Sequence, residues 1–183
     1  INPEQKLILM LGSSFKTKGV DRGIRALAAL PKDLLSKTQL LIVGKGEPKS
    51  FLRLAKHLQV DKHVQFLLGS SEVADLLFAA DLLLHPAYLE NTGTVILEAL
   101  VAGLPVLTTA NCGYAFYVEQ AKAGNVLPMP FAQSLLNQRL AFMLNSEEYS
   151  LWHEHAIKFG QQADLYSMPE RVVQLIKVKG VKS

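Results

Sequence analysis

The chain has a single cysteine, Cys112, so no disulfide can form within it. That excludes the stapled secreted scaffolds and suits a reducing compartment. No apolar run approaches the ~20 residues that a membrane-spanning helix requires. The chain begins Ile1-Asn2-Pro3-Glu4-Gln5, without Met and without a charged region leading into an apolar one. No signal peptide is expected there, and the chain reads as a fragment of a longer protein. Charge of one sign is scarce too: the net charge is +3, too mild to point to nucleic acid. Internal repeats and low-complexity segments are absent. The five histidines form no ligand set. His153 and His155 are two apart and would face different ways on a helix, and His57 and His63 lack a nearby Cys or acidic cluster, so no metal site is expected. The Walker order of glycines, lysine and hydroxyl is missing, Gly12 lacks the partners of a dinucleotide fingerprint, and there is no nucleophile elbow.

What is present is alternation. At 183 residues, with 49% hydrophobic and 19% charged, the chain suits one domain with a sizeable core. Lys6–Leu11 is a continuous apolar run, the mark of a strand buried on both faces. A loop, Gly12–Gly19, leads to a helix over Val20–Leu30, with Val20, Ile24, Leu27 and Ala28 on one stripe and Pro31 as its stop. Further strands are expected at Gln39–Val43, Val64–Leu68, Leu82–Leu84, Val106–Thr108 and Gly124–Leu127. Further helices are expected at Lys49–Leu58, Val73–Ala80, Gly93–Val101, Tyr114–Ala121, Ala132–Leu144, Glu147–Phe159 and Pro169–Val178. Trp152 is read as core or inter-helix packing. The alternation predicts an α/β fold: a Rossmann-like, doubly wound parallel sheet of about six strands with helices on both faces and extra C-terminal helices. Ligands of such sheets bind at the carboxyl ends of the strands, where three loops stand out: Gly12–Gly19, Gly44–Glu47 and Tyr88–Gly93. The Lys177–Lys182 tail reads as a frayed end, with contact at an anionic membrane surface the weaker alternative.

The stretch Glu90-Asn91-Thr92-Gly93-Thr94-Val95-Ile96-Leu97-Glu98 lies between two of these strands. A helix starting near Thr92 or Gly93 would point free N–H groups and partial positive charge out of the Asn91–Val95 end, which is an anion site. Glu98 falls one turn beyond Thr94, on the same face. Phosphate at the tip and a sugar diol on the carboxylate is the arrangement a nucleotide would use. A plainer arrangement meets the same spacing: Glu90 favouring the helix end, Asn91 or Thr92 as its cap, and Glu98 in solvent. Lys16 and Lys18 precede the helix near Gly19, the wrong end for cations unless an anion neutralises them. They form either a phosphate clamp or a solvated loop. His85 is read as a structural or cleft-lining residue rather than a catalytic base, and nothing in the sequence argues for activation of Cys112.

Glu90-x7-Glu98 resembles the Glu-x7-Glu motif of retaining GT-B glycosyltransferases. Gly12…Lys18-Gly19, Leu41-Ile42-Val43-Gly44-Lys45-Gly46, Val64–Gly69, Asp81–Pro86 and Gly103-Leu104-Pro105-Val106 resemble the family's other motifs, in order and over nearly the whole chain. His85-Pro86-Ala87-Tyr88, Gly103–Ala110, Cys112-Gly113-Tyr114-Ala115 and Leu165–Glu170 are similar to bacterial lipopolysaccharide-core glucosyltransferases. The resemblance implies the C-terminal, donor-binding half of a two-domain enzyme. Its co-substrate would be UDP-glucose or a related nucleotide sugar, with no metal or other cofactor. Glu90 and Lys18 would be the catalytic pair, Lys18 holding the diphosphate and Glu90 facing the transferred sugar. Glu98 would accept hydrogen bonds from the ribose, and Thr92, Gly93, Thr94 and Val95 would cradle sugar and phosphate by their amides. Ser13, Gly46 and Asn91 complete the implied donor-binding set. The acceptor, a heptose of the lipopolysaccharide core, would meet the absent N-terminal domain. The location would be cytoplasmic, with peripheral contact at the inner membrane. One departure stands out: the family's usual Arg after the first-loop glycine is Ser13 here, so either Lys16 supplies the second charge or the clamp is weaker. The base pocket is placed near Gly69-Ser70-Ser71. The rival readings are an α/β module that binds another phosphate-containing ligand in the same cleft, and an inert scaffold domain.

Overall fold

Six parallel strands form one sheet: β1 Lys6–Leu11, β2 Thr38–Gly44, β3 Val64–Leu68, β4 Leu82–His85, β5 Val106–Thr109 and β6 Gly124–Leu127. In this computed structural model the described residues are 5–69 and 73–163. The strand order is β3-β2-β1-β4-β5-β6, the doubly wound order that reverses between β1 and β4. Each strand lies parallel to its neighbours because a helix returns the chain to the same end: α1 Val20–Ala28, α3 Lys49–His57, α4 Val73–Ala79, α5 Thr94–Val101 and α6 Ala115–Ala121 follow successive strands, with a short α2 at Lys32–Leu35. Two closing helices, α7 Gln133–Leu144 and α8 Tyr149–Gln162, complete the described part.

The two-residue period of a strand sorts its side chains onto two cores. Ile8 and Met10 of β1 join one, with Ile24 and Leu27 of α1 and Leu136 and Leu140 of α7. Leu7, Leu9 and Leu11 join the other, with Ile96 and Leu100 of α5, Val118 of α6 and Ala156 of α8. Both faces are covered, which is why β1 reads as unbroken apolar sequence. Trp152 is buried in the first core and meets Phe142 edge-on at 6.0 Å between ring centres, packing α8 on α7.

The expected α/β architecture is therefore found, with local differences. The helix expected over Val20–Leu30 ends at Ala28, and Pro31 opens α2 as well as closing α1. A 3-10 turn at Asp61–His63 leads into β3. The helix expected at Glu147–Phe159 runs from Tyr149 to Gln162. The helix expected at Pro169–Val178 and the lysine tail lie outside the described residues. No helix among the described residues is long and apolar enough to cross a membrane.

Candidate functional site

The order reversal leaves a crevice between the ends of β1 and β4, and a cavity of about 450 Å³ opens there. Each wall has a local cause. After β1 the chain runs Gly12–Gly19 into α1, whose cap Gly19 sits at φ 73. A Cβ on Gly19 would lie 2.1 Å from the Pro86 carbonyl oxygen, so glycine lets this turn press against the loop after β4. That loop is fastened from several sides. Arg22 of α1 donates from Nη1 to the Pro86 and Ala87 carbonyls, each at 3.0 Å, with its guanidinium between the Tyr88 and Phe131 rings. Asn111 Nδ2 donates to the Ala87 and Tyr88 carbonyls at 3.1 and 2.9 Å.

The loop ends at α5. Its cap is Gly93 at φ 77, with no side-chain cap bond, so the helix begins just past the Thr92 or Gly93 start read from sequence, and Asn91 and Thr92, the caps of the plainer arrangement, lie before it. Only a residue at ease in the left-handed region makes this turn cheaply, and the polar candidates sit outside it. The start of α5, Thr94 and Val95, lines the cavity, and Glu98 lies one turn below, exposed and on the same wall. With no capping side chain, the first amides of the helix are left for a ligand.

Of the site residues expected from sequence, Ser13, Lys18, Glu90, Thr92, Gly93, Thr94, Val95 and Glu98 come together around this one cavity. Gly46 and Asn91 are not in its wall. Gly46 packs on Phe15, whose ring would lie 2.7 Å from an added Cβ, and the Asn91 carbonyl oxygen is turned toward Gly113. Lys16 borders a separate hollow with Phe15, Phe51 and Tyr88. The second lysine of the cavity is Lys45, from the end of β2. Gly69 also lines the cavity, whereas Ser70 and Ser71 lie outside the described residues.

Glu90 is the electrostatic centre. Its Oε2 accepts from Lys18 Nζ and from His85 Nε2, the latter at 3.1 Å, and only 11% of its side chain is exposed. The His85 hydrogen bond, with that of Lys18, overcomes the effect of burial and holds the Glu90 pKa at about 2. His85 itself is fully buried. Burial pushes its pKa down, but hydrogen bonding to Cys112 and Glu90 outweighs that, and the net direction is up. Cys112 is buried behind it. Burial raises its pKa, and His85, Thr108 and Thr109 pull it below the ordinary thiol value. Thr108 Oγ1 stands 3.0 Å from the His85 carbonyl oxygen and 3.4 Å from Cys112 Sγ. Sequence reading treated His85 as structural or cleft-lining and saw no partner for Cys112. The β4–β5 pairing, which sets His85 opposite Thr108, is what joins them. Among the described residues no group of three or more His, Cys, Asp or Glu side chains is placed to hold a metal ion.

With this geometry in view, similarity to known proteins becomes specific. The profile of the family described as "Glycosyl transferases group 1" matches residues 1–164. The chain belongs to this family. The glycosyltransferase chain is 48% identical over 177 residues to the lipopolysaccharide glucosyltransferase WaaG of Escherichia coli (strain K12), covering 96% of this chain and 47% of the relative. A crystal structure of WaaG, described as a glycosyltransferase involved in lipopolysaccharide biosynthesis, superposes with a TM-score of 0.93 at 47% identity, over 96% of this chain and 48% of that one. At 27% identity, the N-acetyl-alpha-D-glucosaminyl L-malate synthase of Bacillus anthracis matches over 85% of this chain and 41% of its own length. The chain thus spans about half the length of the curated relatives it matches.

Proposed function

We propose that this chain is the donor-binding half of a retaining glycosyltransferase that moves glucose from UDP-glucose to a heptose of the lipopolysaccharide inner core. The observation that carries the reading is the convergence of Lys18, the uncapped start of α5 and the Glu98 carboxylate on one cavity at the sheet's reversal point. Cation, helix end and carboxylate, in that order, match diphosphate and ribose. The 48% identity to a lipopolysaccharide glucosyltransferase supports glucose as the sugar and lipopolysaccharide as the acceptor.

In this reading the diphosphate lies at the amides of Thr94 and Val95, and Lys18 turns toward it. Lys45 supplies the second positive charge where Ser13 offers none. As the sugar–phosphate bond breaks, negative charge grows on the leaving oxygen, and these fixed donors stabilise it without reorganising. Two lysines and a helix end take the part that a divalent ion plays elsewhere, so we propose metal-independent transfer. Glu98 accepts from the ribose hydroxyls, and Glu90 faces the sugar. The acceptor belongs to a second domain, and the reaction belongs to the cytoplasmic face of the inner membrane.

The test is calorimetric titration with UDP, ADP and GDP, using the parent chain and the Lys18→Ala and Glu98→Ala variants. UDP should bind best, and each variant should weaken it by about tenfold or more, the worth of one charge-assisted hydrogen bond. UDP binding that neither change alters would refute the assignment of the cavity.

A further inference from the structure

One carboxylate oxygen of Glu90 holds two cationic partners, and the two are not equivalent. Lys18 comes from the loop after β1, keeps 22% of its side chain exposed, and lines the cavity. His85 comes from the end of β4, has 1% of its side chain exposed, and reaches Glu90 from behind at 3.1 Å. If Lys18 turns to a diphosphate, as the proposed function requires, it must leave Glu90, whose carboxylate would then be half-buried without a counter-charge. Removing one partner of such a pair is costly unless another takes its place. His85 is already within hydrogen-bond distance and has no exposed surface through which to leave.

We propose that His85 is a positioning residue that serves as the counter-ion of Glu90 when the donor's diphosphate draws Lys18 away, so that donor binding is coupled to protonation of His85. The inference rests on the nucleotide-sugar reading of the cavity. The groups that face His85 are the Glu90 carboxylate from the loop before α5 and the Cys112 thiol from the loop after β5, with Lys18 one bond further out through Glu90. With His85 charged, it neutralises Glu90 and leaves the Lys18 charge for the phosphates. With His85 neutral, Lys18 is tied to Glu90, and the dianionic donor meets a cavity with one positive charge fewer. Affinity is therefore highest when His85 is protonated and falls as pH rises through its folded pKa. For one proton the slope cannot exceed about tenfold per pH unit.

The experiment is calorimetry of UDP-glucose binding from about pH 6 to about pH 9, in two buffers of different ionisation enthalpy, which counts protons taken up. The diester phosphates of UDP-glucose do not titrate in this range. The parent protein should take up as much as one proton per donor at the alkaline end and lose affinity there. The His85→Gln variant keeps an amide donor near the Nε2 position but cannot charge. It should bind at all pH values about as weakly as the parent does at the alkaline end, with no proton uptake. The Cys112→Ser variant should still take up a proton with the donor, its profile displaced toward lower pH because the thiol helps to raise the His85 pKa. A His85→Gln profile that still follows the parent's, or uptake that is lost with Cys112→Ser instead, overturns the proposal. Should His85→Gln fail to fold, the His85 ring proton shift is followed by NMR in the parent protein. The donor should raise its titration midpoint, and an unmoved midpoint overturns the proposal. Failure of the parent protein to bind UDP-glucose at any pH removes the nucleotide-sugar reading itself, and with it this inference.

Discussion

Glu90 is stabilised as a carboxylate by two neighbours that lie far from it or hidden from it in the sequence, and the consequence is measurable as acid sensitivity. Its folded pKa of about 2 lies below the ordinary value of 4.5. The pairing therefore stabilises the fold above about pH 4.5 and is lost as pH falls toward about 2. Glu90→Gln should cost on the order of 2 kcal/mol at neutral pH, with the gap between parent and variant closing through that same window. Urea unfolding at a series of pH values checks this. A gap that persists at the acid end would assign the loss to packing. At this scale the sequence was readable where chemistry and spacing coincide. Glu98 follows from one helical turn after Thr94, and Lys18 from a cation at the wrong end of a helix. His85 and Cys112 were not readable as a pair, because their partnership depends on strand register. Lys16 was one of two alternatives for the second charge and Lys45 was not weighed, because the path of a loop, not its composition, decides which lysine enters the cavity.

Among the elements, α5 and the loop that feeds it hold the cavity in shape. Gly93→Ala puts a methyl-bearing residue at φ 77, with its Cβ 3.3 Å from Glu90 Cγ and from Ile96 Cδ1. A loss of about 1–2 kcal/mol in stability is expected, along with weaker UDP binding, because the same turn aims the first amides. Thermal melts and calorimetry on one preparation test both halves. Arg22 fastens the loop from α1 and is only 8% exposed. Arg22→Met leaves the Pro86 carbonyl without that donor and removes the stack on Tyr88 and Phe131, a loss of roughly 2–3 kcal/mol. Arg22→Lys should not rescue it, since an ammonium cannot fork between two carbonyls while lying flat between two rings. Equal stability of the Lys variant and the parent would sink that account. Sequence patterning placed most helices to within a few residues. It missed α2 because a proline at a helix stop is equally a helix start, and it began α5 near Thr92 or Gly93, one or two residues ahead of the Thr94 start.

For the whole molecule, the readable feature was the rhythm of apolar runs. It gave six parallel strands and both layers of helices, because a sheet covered on both faces leaves no polar alternation to mistake. The chain spans 47% of the length of its relative WaaG, and in the proposed reading a second domain supplies the other wall of the cleft. We expect the chain alone to bind nucleotide yet transfer no sugar from UDP-glucose to a heptose-containing core acceptor, and joining it to a matching acceptor domain should restore transfer. Radiolabelled glucose on the acceptor with this chain alone would show the half-enzyme reading to be wrong. The cavity floor carries one more implication. Gly12 N–H donates to the Val43 carbonyl at 3.0 Å, Ser14 N–H to the Lys45 carbonyl at 3.0 Å, and Gly69 N–H to the Gly44 carbonyl at 3.1 Å. Three strand ends are thus laced by main chain alone, with glycine required at Gly44, where a Cβ would lie 2.2 Å from the Gly12 carbonyl oxygen, but with no part played by the side chains of Ser13 and Lys45. Charge at the rim, at Ser13 and Lys45, can therefore be altered without redrawing the cradle, so its electrostatics and its shape are separately adjustable.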